Sequence, residues 1–424
     1  MATARPQQAP ASAAPVTRWR TGWLMPRLLV AAVLANFLSQ FLPLHWFRYT
    51  DLMIARQFNY PDSPFRPRMQ FHSSLFDGDE ALAGNLPASE VYAPRRFTTD
   101  ALGFRYTPPV SPGDSPAVLV FRGFSFTWGA GLSDDETFAS ALARDLGVNV
   151  YNGARFHEDN EFPGHVDRLL GRLQARPRLA VYVHLEPNAH SLAWYADGPV
   201  DRLGLALLGP QRYRAIAEFG TYAETRIGAW IRESPVKSLA IRANKAVAND
   251  SILPNAFREQ TRSFTLPNGR PLLFRASDLE RDQAPPDAAA VAERADYVAW
   301  WKDRLAERGI AMIVLLVPDK TSVYGPSLGL QFPEQPYLVA LARAIRARNV
   351  RAINGLSLLQ VHAADDIASG ELAYRREDQH WSALGVARLA EETARVIDSE
   401  YSVLLPEHRV RAHAVSFLNP NAFQ

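Results

Sequence analysis

Val118-Leu119-Val120-Phe121-Arg122-Gly123-Phe124-Ser125-Phe126-Thr127-Trp128-Gly129-Ala130-Gly131 is the stretch that decides how the chain is read. An apolar run of strand length breaks at Gly123, presents a serine, and meets a glycine-rich turn. Ser133-Asp134-Asp135-Glu136 follows with the spacing of a capping box, which predicts that a helix starts there. Strand, tight turn and helix is the arrangement that holds a reactive side chain at the carboxyl edge of a parallel sheet. Its complement lies far downstream in Asp378-Gln379-His380-Trp381, again just before a predicted helix. A serine hydroxyl is a poor nucleophile until an imidazole takes its proton, and the imidazole needs a carboxylate to hold its tautomer. Ser125, His380 and Asp378 are therefore expected to form one triad.

Outward from the serine the elements alternate regularly. Strands are expected at 117–121, 148–151, 179–185, 311–317 and 350–353, with helices at 136–146, from Pro163, at 287–307, 334–347 and 383–397. Leu179–Leu185 is nearly all apolar, as a strand buried on both faces must be. In the helix from Pro163, Val166, Leu169, Leu170 and Leu173 recur at i, i+3, i+4, i+7. Five strands separated by helices imply a mostly parallel α/β sheet covered on both faces. The domain parts are expected at 117–185 and 287–400. Between them, 186–286 reads as a mainly helical insertion or lid, with helix-like stretches at 209–232 and 236–248.

The N-terminal part is of another kind. Residues 1–22 are rich in Ala, Pro and Gln and read as disordered. Leu28–Phe47 then runs for twenty residues without a formal charge, the length that crosses a bilayer as a helix. Arg18, Arg20 and Arg27 precede it, and Trp23 and Trp46 sit near its two ends. The positive-inside rule keeps such an N-terminus cytoplasmic and exports the remainder. The expectation is a signal-anchor at 23–47 in a bacterial inner membrane with the rest in the periplasm. A cleaved signal ending after Val33-Leu34-Ala35 and a buried soluble helix are the rival readings. Proline-rich residues 48–116 read as a membrane-proximal extension, and 401–424 as a tail.

Composition removes several function classes. The chain has 424 residues, 47% apolar and 21% charged, with a net charge of +2. That charge lacks the strongly basic face of a nucleic-acid binder. The absence of cysteine excludes disulfides, thiol catalysis and cysteine-zinc sites. No pattern calls for a cofactor or a metal.

Four blocks carry a family resemblance: the serine turn at Ser125, Gly153 after the second strand, Asn188 after the third, and the late D-x-H at His380. Together they resemble the SGNH (GDSL-like) hydrolase superfamily. The resemblance implies a flavodoxin-like three-layer α/β/α domain that cleaves or transfers acyl esters. It also implies an oxyanion hole made by the Ser125 and Gly153 N–H groups and the Asn188 amide. Pro318-Asp319-Lys320-Thr321-Ser322-Val323-Tyr324 and Tyr374-Arg375-Arg376-Glu377-Asp378-Gln379-His380-Trp381 resemble the alginate O-acetyltransferase branch. That branch implies a membrane-attached or periplasmic protein acetylating an exported polysaccharide, served by an inner-membrane acyl-donor or polysaccharide synthase or export partner. Two departures stand out: Phe124 replaces the aspartate of the G-D-S turn, and the D-x-H-W block follows the serine rather than preceding it. A third is the asparagine block His184-Leu185-Glu186-Pro187-Asn188, which is not the usual G-x-N-D and offers Glu186 for the asparagine's place; with Phe124 it leaves a second reading open, a catalytically inactive subunit of a polysaccharide export complex.

Other residues have competing roles. Trp128 is expected either to stack on a sugar ring or to pack inside. Arg122 is read as a contact for an acyl or carboxylate group or as a strand-edge residue. Ser125 also suits a turn cap, and Asp378 with His380 also suits metal ligation beside His184, Glu186 and His190.

Overall fold

The computed structural model describes residues 24–39, 65, 67–73, 78–84, 86, 95–155, 163–173, 176–186 and 261–406. Its centre is a five-stranded parallel sheet in the order β4-β3-β5-β8-β9, formed by β3 (Val118–Arg122), β4 (Val150–Asn152), β5 (Leu179–Leu185), β8 (Ala311–Val317) and β9 (Arg351–Asn354). Numbered along the chain, these strands run 2-1-3-4-5, the flavodoxin-like order. β5 and β8 pair over their whole length, from Leu179 opposite Ala311 to Leu185 opposite Val317. Every residue of β3 and β5 is buried, which is why the two strands read as unbroken apolar runs.

The crossovers decide where the helices lie. The step from β3 to β4 goes one way along the sheet, and every later step goes the other. Right-handed connections therefore put α4 (Phe138–Leu146) on one face, with α5 (Pro163–Arg172), α7 (Ala288–Ala306) and α9 (Tyr337–Arg346) on the opposite one. The last helix, α12 (Ala383–Glu400), packs beside α4, and α7 packs beside α9. Asp167 on α5 accepts from Arg304 of α7 and lies 2.8 Å from Arg308, tying that layer together.

Two boundaries differ from the sequence expectation for local reasons. The box at Ser133–Glu136 does form, with the Ser133 N–H donating to Glu136 Oε2 at 2.8 Å, but it closes a 3-10 turn at Asp134–Glu136. The α-helix begins only at Phe138, where the Thr137 hydroxyl accepts from the Ser140 N–H. After Gly123 the chain forms a five-residue helix, α3 (Phe124–Trp128), instead of an open turn. Of residues 186–286, the described part is a hairpin of β6 (Thr261–Thr265) and β7 (Pro271–Arg275) followed by α6 (Ala276–Asp282). The stretches 209–232 and 236–248 lie outside the described residues.

Residues 48–116 contribute an antiparallel pair, β1 (Gln70–Ser73) with β2 (Arg95–Thr98), and the short helix α2 (Asp79–Ala83). These elements share one compact unit, Leu44–Gln424, with the sheet. The preceding unit, Met1–Pro43, contains α1 (Leu24–Ser39), sixteen residues long. Among the described residues no helix is long and apolar enough to cross a membrane. Residues 40–47 of the expected span lie outside them.

Candidate active site

Ser125 sits at the carboxyl edge of the sheet, where the strand order reverses beside β3, the position at which open α/β sheets place their ligands. Three consecutive residues take left-handed backbone there: Arg122 (φ 65°), Gly123 (φ 71°) and Phe124 (φ 47°). Such angles in non-glycine residues cost about 1–3 kcal/mol each and persist only where the surroundings hold them. Gly123 is also a close-approach position, since a Cβ there would lie 2.0 Å from Thr127 Oγ1 and 2.7 Å from Val183 Cγ1. The sharp reversal lifts Ser125 out of the strand line into the first turn of α3.

The loop that leads into α12 meets it. His380 Nε2 is 2.7 Å from Ser125 Oγ, and His380 Nδ1 is 2.6 Å from Asp378 Oδ1. The same carboxylate oxygen accepts the His380 backbone N–H at 2.7 Å, while Oδ2 accepts the Asp79 N–H at 2.9 Å. With three donors converging on it, Asp378 is held ionised. Burial works to raise its pKa, but the His380 charge and hydrogen bond, with Arg375 behind them, outweigh burial and push it well below the carboxylate range. For His380 burial works downward and is again outweighed, by the Asp378 charge and hydrogen bond and by Asp79, so its pKa rises above 6.5. An ionised Asp378 takes the Nδ1–H, which leaves Nε2 with a lone pair for the serine proton.

Aromatic packing fixes the ring. Phe126 lies 4.7 Å from the imidazole, and Trp381 meets Phe126 edge-on and stacks over Phe138. His380 and Asp378 are 4% and 1% exposed, so the pair works out of water, whereas Ser125 is half-buried and reachable.

The structure thus brings Ser125, His380 and Asp378 into one hydrogen-bonded line. Other expected residues stand elsewhere. The Gly153 N–H donates to the Val120 carbonyl at 2.8 Å and so prolongs the β3–β4 pairing instead of facing the serine. Trp128 is fully buried, stacked on Phe97, with the Arg105 guanidinium 4.6 Å from its ring. It is a core residue, and no sugar reaches it. Arg122 is buried as well, 5.2 Å and 5.3 Å from the rings of Tyr182 and Tyr297 and donating to the Tyr297 hydroxyl at 2.9 Å. It is neither a strand-edge nor a substrate residue. Asn188 and His190 lie outside the described residues. His184 shares a 3.3 Å hydrogen bond with the Tyr337 hydroxyl.

Among the described residues, candidate metal-ligand atoms fall into two groups, each within 4.8 Å: Asp79, Asp378 and His380 at the triad, and Glu186, Asp282 and Asp319 beyond the ends of β5 and β8. Glu186 is in the second group and not beside His380. There it accepts the Asp319 N–H at 2.8 Å, and Arg281 pairs with Asp282 at 2.9 Å and with Asp319. Burial, and then the neighbouring Asp282, push Glu186 up to about 8.

Several site residues escaped the sequence reading. Asp79 Oδ2 stands 3.6 Å from His380 Nδ1, and Gln379 Nε2 donates to it at 3.2 Å. Arg375 donates to the Gly131 carbonyl and so joins the histidine loop to the turn after α3. Arg105 holds the next stretch, donating to Asp134 Oδ1 at 2.9 Å and to the Leu132 carbonyl at 2.7 Å. Asp79 and Arg105 belong to no spacing motif, and Arg375 and Gln379 stand in the quoted histidine block, whose spacing does not show what they reach across the fold.

Residues 271–420 match the family described as "SGNH hydrolase-like domain, acetyltransferase AlgX". The chain carries an AlgX-like SGNH domain. The matched part of this SGNH domain holds Asp378, His380 and the Pro318–Tyr324 segment, while Ser125 comes from outside it. No curated protein matches the chain. Among solved structures, one crystal structure aligns with 67% of this chain and 97% of its own at 15% identity and a TM-score of 0.29, a superposition that carries no argument about the SGNH domain.

Proposed function

We propose that the protein is a serine-dependent O-acyltransferase or esterase, of acetyl groups in the first instance, acting on an exported polysaccharide. The observation that carries this reading is the continuous contact from Ser125 Oγ through His380 to Asp378, at 2.7 and 2.6 Å. In the reaction His380 takes the Ser125 proton as Oγ attacks the carbonyl of an acyl donor. The imidazolium is stabilised by Asp378. It returns its proton to the leaving oxygen, and the acyl group stays on Ser125. A sugar hydroxyl, or water, then attacks with His380 as base again. The Ser125 N–H lies in the first turn of α3, where helix N–H groups have no intrahelical acceptor, and is the donor we assign to the oxyanion. Asn188 remains our candidate for a second donor.

Anchorage in a bacterial inner membrane, with the domain in the periplasm, belongs to the same proposal. It is supported by the uncharged run Leu28–Phe47 and by α1, which exposes Leu28, Val30, Val33, Leu34 and Leu38. An inner-membrane acyl donor or export partner follows from it, because acyl groups activated inside the cell must be carried out.

The test is release of p-nitrophenol from p-nitrophenyl acetate by the full chain and by Ser125→Ala. The parent is expected to turn over and the variant to stop. Equal rates would leave the inactive-subunit reading in its place. Adding oligosaccharide separates transfer, which acetylates the sugar, from hydrolysis.

A further inference from the structure

Lys320 opens α8 (Lys320–Tyr324) and is only 3% exposed. An ammonium has three protons to donate. Around this one stand the carbonyls of Asp378 at 3.0 Å, Arg375 at 3.1 Å and Arg376 at 3.3 Å, and the Glu80 carboxylate. All three carbonyls belong to the loop that carries Asp378 and runs on to His380. The same loop is also held by the start of α2, where the Glu80 and Ala81 N–H groups both donate to the Glu377 carbonyl at 3.1 and 3.2 Å. Loop carbonyls do not gather on one side of a chain by themselves, since their dipoles repel. A buried cation reverses the sign of that interaction.

Stability does not account for the arrangement. A buried ion pair is often no better than an apolar pair of the same volume, because both charges must leave water. The geometry does account for it. We propose that Lys320 is a positioning residue whose ammonium draws the carbonyls of residues 375–378 into one arc and so sets the Asp378 carboxylate against His380 Nδ1. The proposal rests on the catalytic reading of Ser125, His380 and Asp378. It adds that the N-terminal part of the chain, through the Glu80 and Ala81 backbone N–H groups, holds the same loop of the matched SGNH domain that Lys320 draws in.

The experiment compares the full chain with Lys320→Met/Glu80→Gln, Lys320→Gln/Glu80→Gln and Glu80→Gln alone. Removing both charges in the first pair avoids leaving a buried carboxylate uncompensated. Three readouts are taken: the labelling rate of Ser125 by a fluorophosphonate, the far-downfield proton resonance of His380 Nδ1–H, and thermal melting. In Lys320→Met/Glu80→Gln, labelling is expected to slow at least tenfold and the resonance to move upfield or broaden away, with a cooperative melt retained. Lys320→Gln/Glu80→Gln keeps an amide donor and falls between that variant and the parent. Glu80→Gln alone keeps the three carbonyl contacts and stays near the parent. Parent-like labelling and resonance in both double variants would overturn the proposal, and so would an equal loss in Glu80→Gln. If the Met variant does not fold, the Gln double variant decides by the same readouts. A parent that fluorophosphonate does not label refutes the catalytic reading instead, and the resonance still shows whether Lys320 sets the Asp378–His380 bond.

Discussion

The backbone N–H of Asp79 donates to Asp378 Oδ2 at 2.9 Å across 299 positions of the chain. Gly78 lets the two segments come this close, because a Cβ there would stand 2.1 Å from the Glu377 carbonyl oxygen. Backbone cannot yield as a side-chain tip can, so Gly78→Ala must push α2 off the histidine loop. We expect ester turnover to fall at least tenfold with a lowered Tm. Turnover and melting temperature equal to the parent's would show that α2 does not support the site.

In the proposed mechanism Ser125, His380 and Asp378 act as a unit, so their deletions should not add. Ser125→Ala and His380→Ala are each expected to lower kcat on the order of 10³-fold or more, and the double variant to lose no more than either. Multiplying losses, measured with the same acetyl ester, would mean that the two side chains act independently.

How much of this was legible in the sequence follows from the range over which each residue acts. The central strands were readable because residues buried on both faces leave unbroken apolar runs, as in Leu179–Leu185. The contact of Ser125 with Asp378 and His380 was readable because an α/β sheet gathers its strand-end loops on one edge. The roles of Trp128 and Arg122 stay open in the sequence because a side chain's direction around a reversal depends on backbone angles, and the three successive positive φ values at 122–124 are not written in any local pattern. The Gly153 N–H serves the sheet and not an oxyanion because β4's pairing runs one residue past its last ladder partner, to Val120, which nothing in the composition shows. Asp79, Glu80 and Lys320 met the site through tertiary packing alone, and no local spacing announces that.

The pH dependence of turnover should reflect two carboxylates near the imidazole. His380 acts as a base only when neutral, and its pKa is raised, with Asp378 and Asp79 together outweighing burial. The acidic limb of kcat/KM is therefore expected above pH 6.5. Asp79→Asn removes the carboxylate 3.6 Å from Nδ1 and should move the limb to lower pH. The shift should be small, because Asp79 is 37% exposed and screened by solvent. A limb that stays put or moves upward contradicts this account.

The second acidic group should make the fold less stable as pH rises. Folded Glu186 keeps its proton up to about 8, while an unfolded glutamate releases it near 4.5. Between those values the folded chain binds more protons, so its stability falls on the order of 1 kcal/mol per pH unit. His380, also raised when folded, contributes stability below 6.5 that is lost as pH rises through its folded pKa, in the same direction. Asp378, lowered when folded, acts at the other end, where its contribution is lost as pH falls below 3.8. Glu186→Gln still accepts the Asp319 N–H but cannot ionise. Urea midpoints measured from pH 5 to 8 should slope less steeply in the variant, and an unchanged slope would place the proton elsewhere.

Trp128 separates a binding role from a packing one. Its ring lies between Phe97 and Phe65, 5.6 and 5.4 Å away, with Arg105 over it, so its removal opens a cavity between the turn after Ser125 and the β1–β2 pair. Cavities of this kind cost about 3–5 kcal/mol for Trp→Ala. Trp128→Phe refills most of the space and keeps a face for the guanidinium, so it should recover much of that loss. A sugar-stacking residue behaves differently: its replacement raises KM for oligosaccharide and leaves KM for a small acetyl ester alone. We expect Trp128→Phe to change the two KM values by the same factor, within about twofold, while the urea midpoint drops. A selective rise in the oligosaccharide KM at unchanged stability would return Trp128 to the binding surface, and the burial of its ring would then have to be relieved when polymer docks.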